Sequence, residues 1–148
     1  MTVRIGLMVF LLVLALAVRP SSQELRDINT KWTVDVVNGL SGENRLFLHC
    51  KSKDDDLGMH DLPVGAKSSW SFKENLFGRT LYWCYLRKDK AHAAFDVFWE
   101  EKNEEYYLLR RTCDRSNICI WIAKDDGIYL KSIRDNLDVF MHRWKPGQ

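Results

Sequence analysis

From Trp32 onward this chain is cut into short runs in which apolar and polar residues alternate, and a period of two restricts it to a strand-built core. Trp32, Val34 and Val36 alternate with Thr33 and Asp35, and Asn38-Gly39 closes the run with a pair suited to positive φ. Leu46, Leu48 and Cys50 alternate with Phe47 and His49 in a second run, 45–51, and the short loop 38–44 predicts a hairpin between the first two strands. Pro63 and Gly65 break the chain before Ser69-Trp70-Ser71-Phe72-Lys73, an aromatic and polar alternation. Residues 80–87 and 93–99 flank Lys88-Asp89-Lys90-Ala91-His92, whose charges suit a hairpin tip. Residues 106–111 and 118–123 read as strands around the turn cluster Asp114-Arg115-Ser116-Asn117, and Asp125-Asp126-Gly127 turns the chain into Ile128-Tyr129-Leu130.

Seven or eight such strands, with turn signals about every 8 to 12 residues, predict an all-β fold, an antiparallel β-sandwich. The last segment fits two periods. Ile133, Leu137, Phe140 and Met141 approximate helical spacing, whereas Leu137, Val139 and Met141 alternate, and the strand reading is taken for 138–143. Asp54, Asp55 and Asp56 follow the second strand directly, and three adjacent acids mark a loop edge that faces solvent.

Residues 1–22 carry Arg4, an apolar run from Leu7 to Val18 and the small-residue pattern Ala15-Leu16-Ala17, which predict a secretory signal peptide cleaved near Ala17 or Ser22. The run is shorter than the roughly 20 residues that span a bilayer, so the chain is read as secreted and not membrane-embedded. Residues 23–148 then form a single domain. The formal charge of +2 includes Arg4 and Arg19, so cleavage after Ser22 leaves 2 − 2 = 0 with both signs scattered. That balance excludes the basic stripe of a nucleic-acid binder.

Cys50, Cys84, Cys113 and Cys119 make an even set in a small exported domain, which predicts two disulfides. Zinc is disfavoured because Cys113 and Cys119 lack CxxC spacing and His49, His60, His92 and His142 are dispersed. Closing the short loop from Cys113 to Cys119 is worth about 2.4 kcal/mol of chain entropy, against about 4.4 for a link from Cys50 to either. Entropy therefore favours long-range pairing, and leaves Cys50–Cys113 and Cys50–Cys119 both open.

No GxSxG elbow, HExxH, P-loop or dinucleotide-binding turn occurs, so neither catalytic residues nor a cofactor or metal are assigned. Asp54, Asp55, Asp56, Asp96, Asp125 and Asp126 read as solvated turn residues before they read as a dyad, and adjacent acids on extended backbone seldom converge on Ca²⁺. His60 and His92 read as surface imidazoles. Trp70, Phe72, Trp83, Phe95, Trp99 and Trp121 read as core before sugar-stacking platforms. Asn117-Ile118-Cys119 is the rare Cys form of the glycosylation acceptor, and a disulfide would consume its thiol.

Several blocks stand in a characteristic order: His49-Cys50-Lys51-Ser52-Lys53-Asp54-Asp55-Asp56-Leu57-Gly58, Trp70-Ser71-Phe72, Thr80-Leu81-Tyr82-Trp83-Cys84, Phe95-Asp96-Val97-Phe98, Cys119-Ile120-Trp121 and Asp126-Gly127-Ile128-Tyr129-Leu130. Together they resemble the plant self-incompatibility protein S1 family, the S-protein homologues. The resemblance implies a small secreted plant protein with a β-sandwich fold, some of whose relatives are recognition ligands between pistil and pollen. The expected function is a non-catalytic extracellular ligand, monomeric, for a plant cell-surface protein receptor; the alternative is a secreted carbohydrate binder or hydrolase without a recognisable motif. Specificity is expected in loop 38–44, in Lys88, Asp89 and Lys90 with the rest of tip 88–92, and in Asp114, Arg115, Ser116 and Asn117, because these short polar loops contain nothing that must be buried. The acids of loop 54–58, neutralised by Lys51, Lys53 or a basic residue on a neighbouring loop, are expected to shape the loop rather than meet the partner.

Overall fold

The computed structural model describes residues 30–75, 79–101, 108–113 and 116–147; the expected leader therefore lies outside the described residues, as do Asp114 and Arg115. Ten strands are described: β1 (Lys31–Asn38), β2 (Leu46–Ser52), β3 (Asp56–Leu62), β4 (Lys67–Lys73), β5 (Leu81–Lys88), β6 (Ala91–Trp99), β7 (Ile118–Lys124), β8 (Gly127–Ser132), β9 (Leu137–His142) and β10 (Lys145–Pro146). One helix, α1 (Leu108–Cys113), precedes β7. The strands form two five-stranded sheets, β4-β1-β7-β8-β9 and β10-β6-β5-β2-β3. The all-β sandwich is thus the observed architecture, with ten strands in place of seven or eight.

The alternation decides which side chains fill the space between the sheets. Val34 and Val36 of β1, Cys119, Trp121 and Ala123 of β7, and Ile128 and Leu130 of β8 face Leu46 and Leu48 of β2, Cys84 and Leu86 of β5, and Val97 of β6, all of them buried. Trp121 is fully buried and donates its indole N–H to the Val97 carbonyl across the sandwich, 3.0 Å. Phe95 packs on Trp121 with ring centroids 5.1 Å apart.

Several expectations are corrected. β1 and β2 are not a hairpin: β1 pairs with β4 and β7, β2 with β3 and β5, and the loop between them crosses from one sheet to the other. β1 and β7 run parallel, so the sandwich is mixed rather than purely antiparallel. Residues 108–111 belong to α1, not to a strand; Leu109, Thr112 and Cys113 recur at helical spacing and make its buried face. Glu101 caps this helix, accepting from the Leu109 N–H at 2.7 Å and the Arg110 N–H at 3.4 Å.

The disulfides are Cys50–Cys84 and Cys113–Cys119, so the entropic preference for a long-range link from Cys50 to Cys113 or Cys119 is overturned. Register is the reason. Cys50 and Cys84 stand directly opposite on β2 and β5 with Cα atoms 4.1 Å apart, and α1 folds back onto β7 to bring Cys113 within 4.7 Å of Cys119. No described cysteine is free.

At the β1 exit, Asn38 is fully buried and its amide is fully used: Nδ2 donates to the Asn44 and Leu62 carbonyls, 2.9 Å each, and Oδ1 accepts from the Leu40 N–H at 3.0 Å. Positive φ falls on Gly42 rather than on the Asn38-Gly39 pair. Gly39 is needed instead for close approach, since a Cβ there would stand 2.7 Å from Ile122 Cγ2.

Asn38→Ala should destabilise by about 3 kcal/mol or more, because it strands the buried Leu40 N–H and Leu62 carbonyl without partners. Trp121→Ala should cost about 3 to 5 kcal/mol by leaving a cavity. Chemical denaturation of the purified, disulfide-bonded proteins measures both, and wild-type midpoints would remove these residues from the core argument.

Candidate functional site

Strand direction sorts the loops into two ends of the sandwich. Because β7 runs parallel to β1, the loop after Asn38 and the turn after Lys124 leave at the same end, where the Ser41 N–H donates to Asp125 Oδ1 at 3.1 Å. Phe47 at the start of β2 lies opposite Arg87 at the end of β5, so the β5–β6 tip joins them. The turn before β7 and the bend after Ser52 belong to the other end.

The loops expected to carry specificity are therefore not one surface. Lys88, Asp89 and Lys90 sit at the first end with loop 38–44, whereas Ser116 and Asn117 sit at the second, separated along β7 by about 20 Å at 3.3 Å per residue. Ser116 and Asn117 also have structural work: Ser116 Oγ donates to the Cys113 carbonyl at 2.8 Å, and the Asn117 carbonyl accepts from the Thr33 N–H at 2.9 Å. The acidic loop lies at that second end. Asp56 opens β3 instead of remaining in the loop, and bonds His49 Nε2 at 2.7 Å with Lys51 at 3.7 Å. Those contacts, the His49 bond first, hold its carboxyl below the usual carboxylate range.

At the first end the side chains form a cleft of about 550 Å³ lined by Lys88, Asp125, Asp126, Phe140, Arg143 and Trp144. The lining groups other than Arg143 are held by neighbouring residues. The Trp144 indole donates to the Lys124 carbonyl at 2.8 Å and carries the Lys88 ammonium 4.8 Å above its ring, while that ammonium also donates to the Asp125 carbonyl. Asp126 accepts the Tyr129 hydroxyl at 2.8 Å, and Tyr129 meets Phe140 edge-on with centroids 5.4 Å apart. Gly127 makes room for Phe140, because a Cβ there would collide with the ring. Asp125 is kept below the usual carboxylate range by its bonds to Ser41, and so stays charged.

Of the aromatics weighed as sugar platforms, Phe95 and Trp121 are buried and Trp70, Phe72 and Trp99 pack against the core. Trp83, 36% exposed, is on an outer face. Phe140, Arg143 and Trp144 were outside every expected site. They reach the cleft only because β9 closes one sheet and the chain then crosses to pair β10 with β6.

Residues 33–144 match the plant self-incompatibility protein S1 family. The chain belongs to that family. It is 42% identical to S-protein homolog 1 and to S-protein homolog 74 of Arabidopsis thaliana, each over 80% of this chain and 74% of the relative. S-protein homolog 21 of the same plant is 35% identical over 67% of this chain and 72% of its own. The fold matches a solved structure of SPH (self-incompatibility protein homologue) proteins at a TM-score of 0.57 and 17% identity, covering 79% of this chain and 96% of that one. Those proteins are described as a widespread family of small, highly stable, secreted proteins from plants.

In this S1-family chain a half-buried histidine links the cleft strand to pH. His142 stacks on Phe95 at 4.6 Å and on Trp121 at 6.0 Å, and burial lowers its pKa below the ordinary 6.5, with Asp96 pulling the other way. The unfolded chain thus takes up the proton first, so stability is fully present above about pH 6.5 and is lost as pH falls toward the folded pKa. Asp56, Asp125 and Asp138 act in a lower window, since their depressed pKa values give stability that is lost only below the ordinary 3.8. Melting temperature should fall between pH 7 and pH 5 in the wild type and fall less in His142→Phe. Parallel pH profiles would show that His142 is not the group responsible.

Proposed function

We propose that this protein is a secreted, non-catalytic recognition ligand of the plant cell exterior, and that it meets a cell-surface protein receptor through the end that carries loop 38–44 and the β5–β6 tip. Family membership supports the class. The single observation that carries the choice of surface is the bracing of that end: Asn38 fixes the loop, Ser41 and Lys88 fix the Asp125 turn, and the Gly147 N–H fixes the tip through the Lys90 carbonyl at 2.9 Å. A surface held in one geometry loses little entropy on binding.

Within that end the two tip lysines differ. Lys88 is committed to Asp125 and Trp144, whereas no described side chain pairs with the Lys90 ammonium, which leaves it to steer an acidic partner. Asp54 and Asp55, at the far end, then contribute to the fold edge and not to the contact.

Lys90→Glu should lower saturable binding of the mature protein to living plant cells by about tenfold or more while leaving thermal stability unchanged. The companion is the triple variant Asp54→Ala, Asp55→Ala, Asp56→Ala. Unchanged binding by Lys90→Glu alongside lost binding by a folded triple variant would move the contact to the acidic end.

A further inference from the structure

The cleft between the Asp125 turn and the C-terminal strands offers three kinds of contact within one small volume. Phe140 is 45% exposed, and Trp144 stands half-buried beside it with the Lys88 ammonium over its ring, so two rings held by their own partners line the cleft. Asp125 accepts from Ser41 and Asp126 Oδ2 accepts from the Tyr129 hydroxyl, so two carboxylates are held in place at the cleft wall. Arg143 is exposed at the rim, and no described carboxylate pairs with it.

We propose that this cleft binds an acidic oligosaccharide, seating one uronic-acid residue with its carboxylate on Arg143, its hydroxyls on Asp125 and Asp126, and its C–H face on Phe140 and Trp144. Each contact answers a different part of that sugar. A planar guanidinium grips a carboxylate through two parallel hydrogen bonds, paired acids accept vicinal hydroxyls, and an aromatic ring covers the apolar face of a pyranose. The volume of about 550 Å³ lies within the range of small-ligand sites.

Other ligand classes use the cleft less well. A neutral sugar leaves Arg143 unanswered, and an acidic peptide meets the like charges of Asp125 and Asp126 without hydroxyls to satisfy them. Polyphosphates carry more negative charge into the same pair of acids. Lys90 is not among the lining residues, so this site and the receptor contact proposed above can fail separately.

The test is calorimetric titration of the mature, disulfide-bonded protein with tetragalacturonate, with its methyl ester, with a neutral galactose tetramer and with a glutamate-rich peptide. Tetragalacturonate is expected to bind at least about tenfold more tightly than the other three. Arg143→Gln should remove that preference for the acid over its ester, and Trp144→Phe should keep binding that Trp144→Ala loses. Thermal melts identify any variant that fails to fold, and chemical-shift mapping on the wild type places the ligand without any mutation. Equal binding of acid and ester, unaltered binding by a folded Arg143→Gln, tighter binding of the peptide, shifts centred away from Phe140 and Trp144, or no binding at all would each overturn the site. Lost oligosaccharide binding in Arg143→Gln with cell binding intact is the result expected if the two sites are separate.

Discussion

One side-chain amide, that of Asn38, sits where the chain passes from one sheet to the other, and the geometry of the braced end follows from it. Its three side-chain hydrogen bonds tie loop 38–44 to the exit of β3, while its backbone N–H donates to the Ala66 carbonyl and its carbonyl accepts from the Gly65 N–H, at 2.9 and 2.8 Å. A buried amide with every group satisfied is specific as well as stable, because any slip of β1 against its neighbours would leave several buried polar atoms unpaired. The same register keeps Gly39 against Ile122 and Ser41 within reach of Asp125. The position of the cleft wall is thus decided several residues away from it.

Neither disulfide joins the two sheets. Cys50–Cys84 crosslinks neighbouring strands of one sheet, and Cys113–Cys119 ties α1 to β7 of the other. Cohesion between the layers therefore rests on buried side chains and on a few bonds that cross the gap, such as the Trp121 indole to Val97. In the chain-entropy model the two links still contribute about 3.8 and 2.4 kcal/mol by restricting the unfolded chain. They brace each layer locally, and the core sets how the layers face each other.

Much of this was legible in the sequence wherever a strand has one wet and one dry face. β1, β2, β4, β5, β6 and β7 follow the alternation closely, and β9 resolves the ambiguous last segment as a strand. β3 escaped because it is an edge strand with mostly exposed residues, Asp56, Gly58, Met59, His60 and Asp61, and so has no apolar stripe to read. α1 escaped because six residues give too short a window to separate helical from alternating spacing. The parallel β1–β7 pair and the cysteine pairing are facts of topology, and no local pattern encodes which strands become neighbours. For the same reason Lys88 to Lys90 could be picked out as an accessible tip, but its separation from Ser116 and Asn117 could not.

Four edge strands remain among the described residues, and each differs in how readily it could template another strand. β3 carries Asp56 and Asp61, β4 carries Lys67 and Lys73, and β10 pairs through only two residues, so three edges are charged or too short to template another strand. β9 is different, with Leu137 at 62% exposure and Val139 and Phe140 also in contact with water. A register shift near Ile128 and Tyr129 bends its pairing with β8, and Asp138, held by Lys124 at 2.6 Å and Lys131 at 3.7 Å, puts a charge pair in the middle of the apolar run. That pair does more than guard the edge: Lys124 also sits 4.6 Å from the Tyr129 ring centroid, and Tyr129 in turn positions Phe140 at the cleft. The charge pair that disfavours strand addition at β9 thus belongs to the same set of contacts that positions an aromatic wall of the cleft.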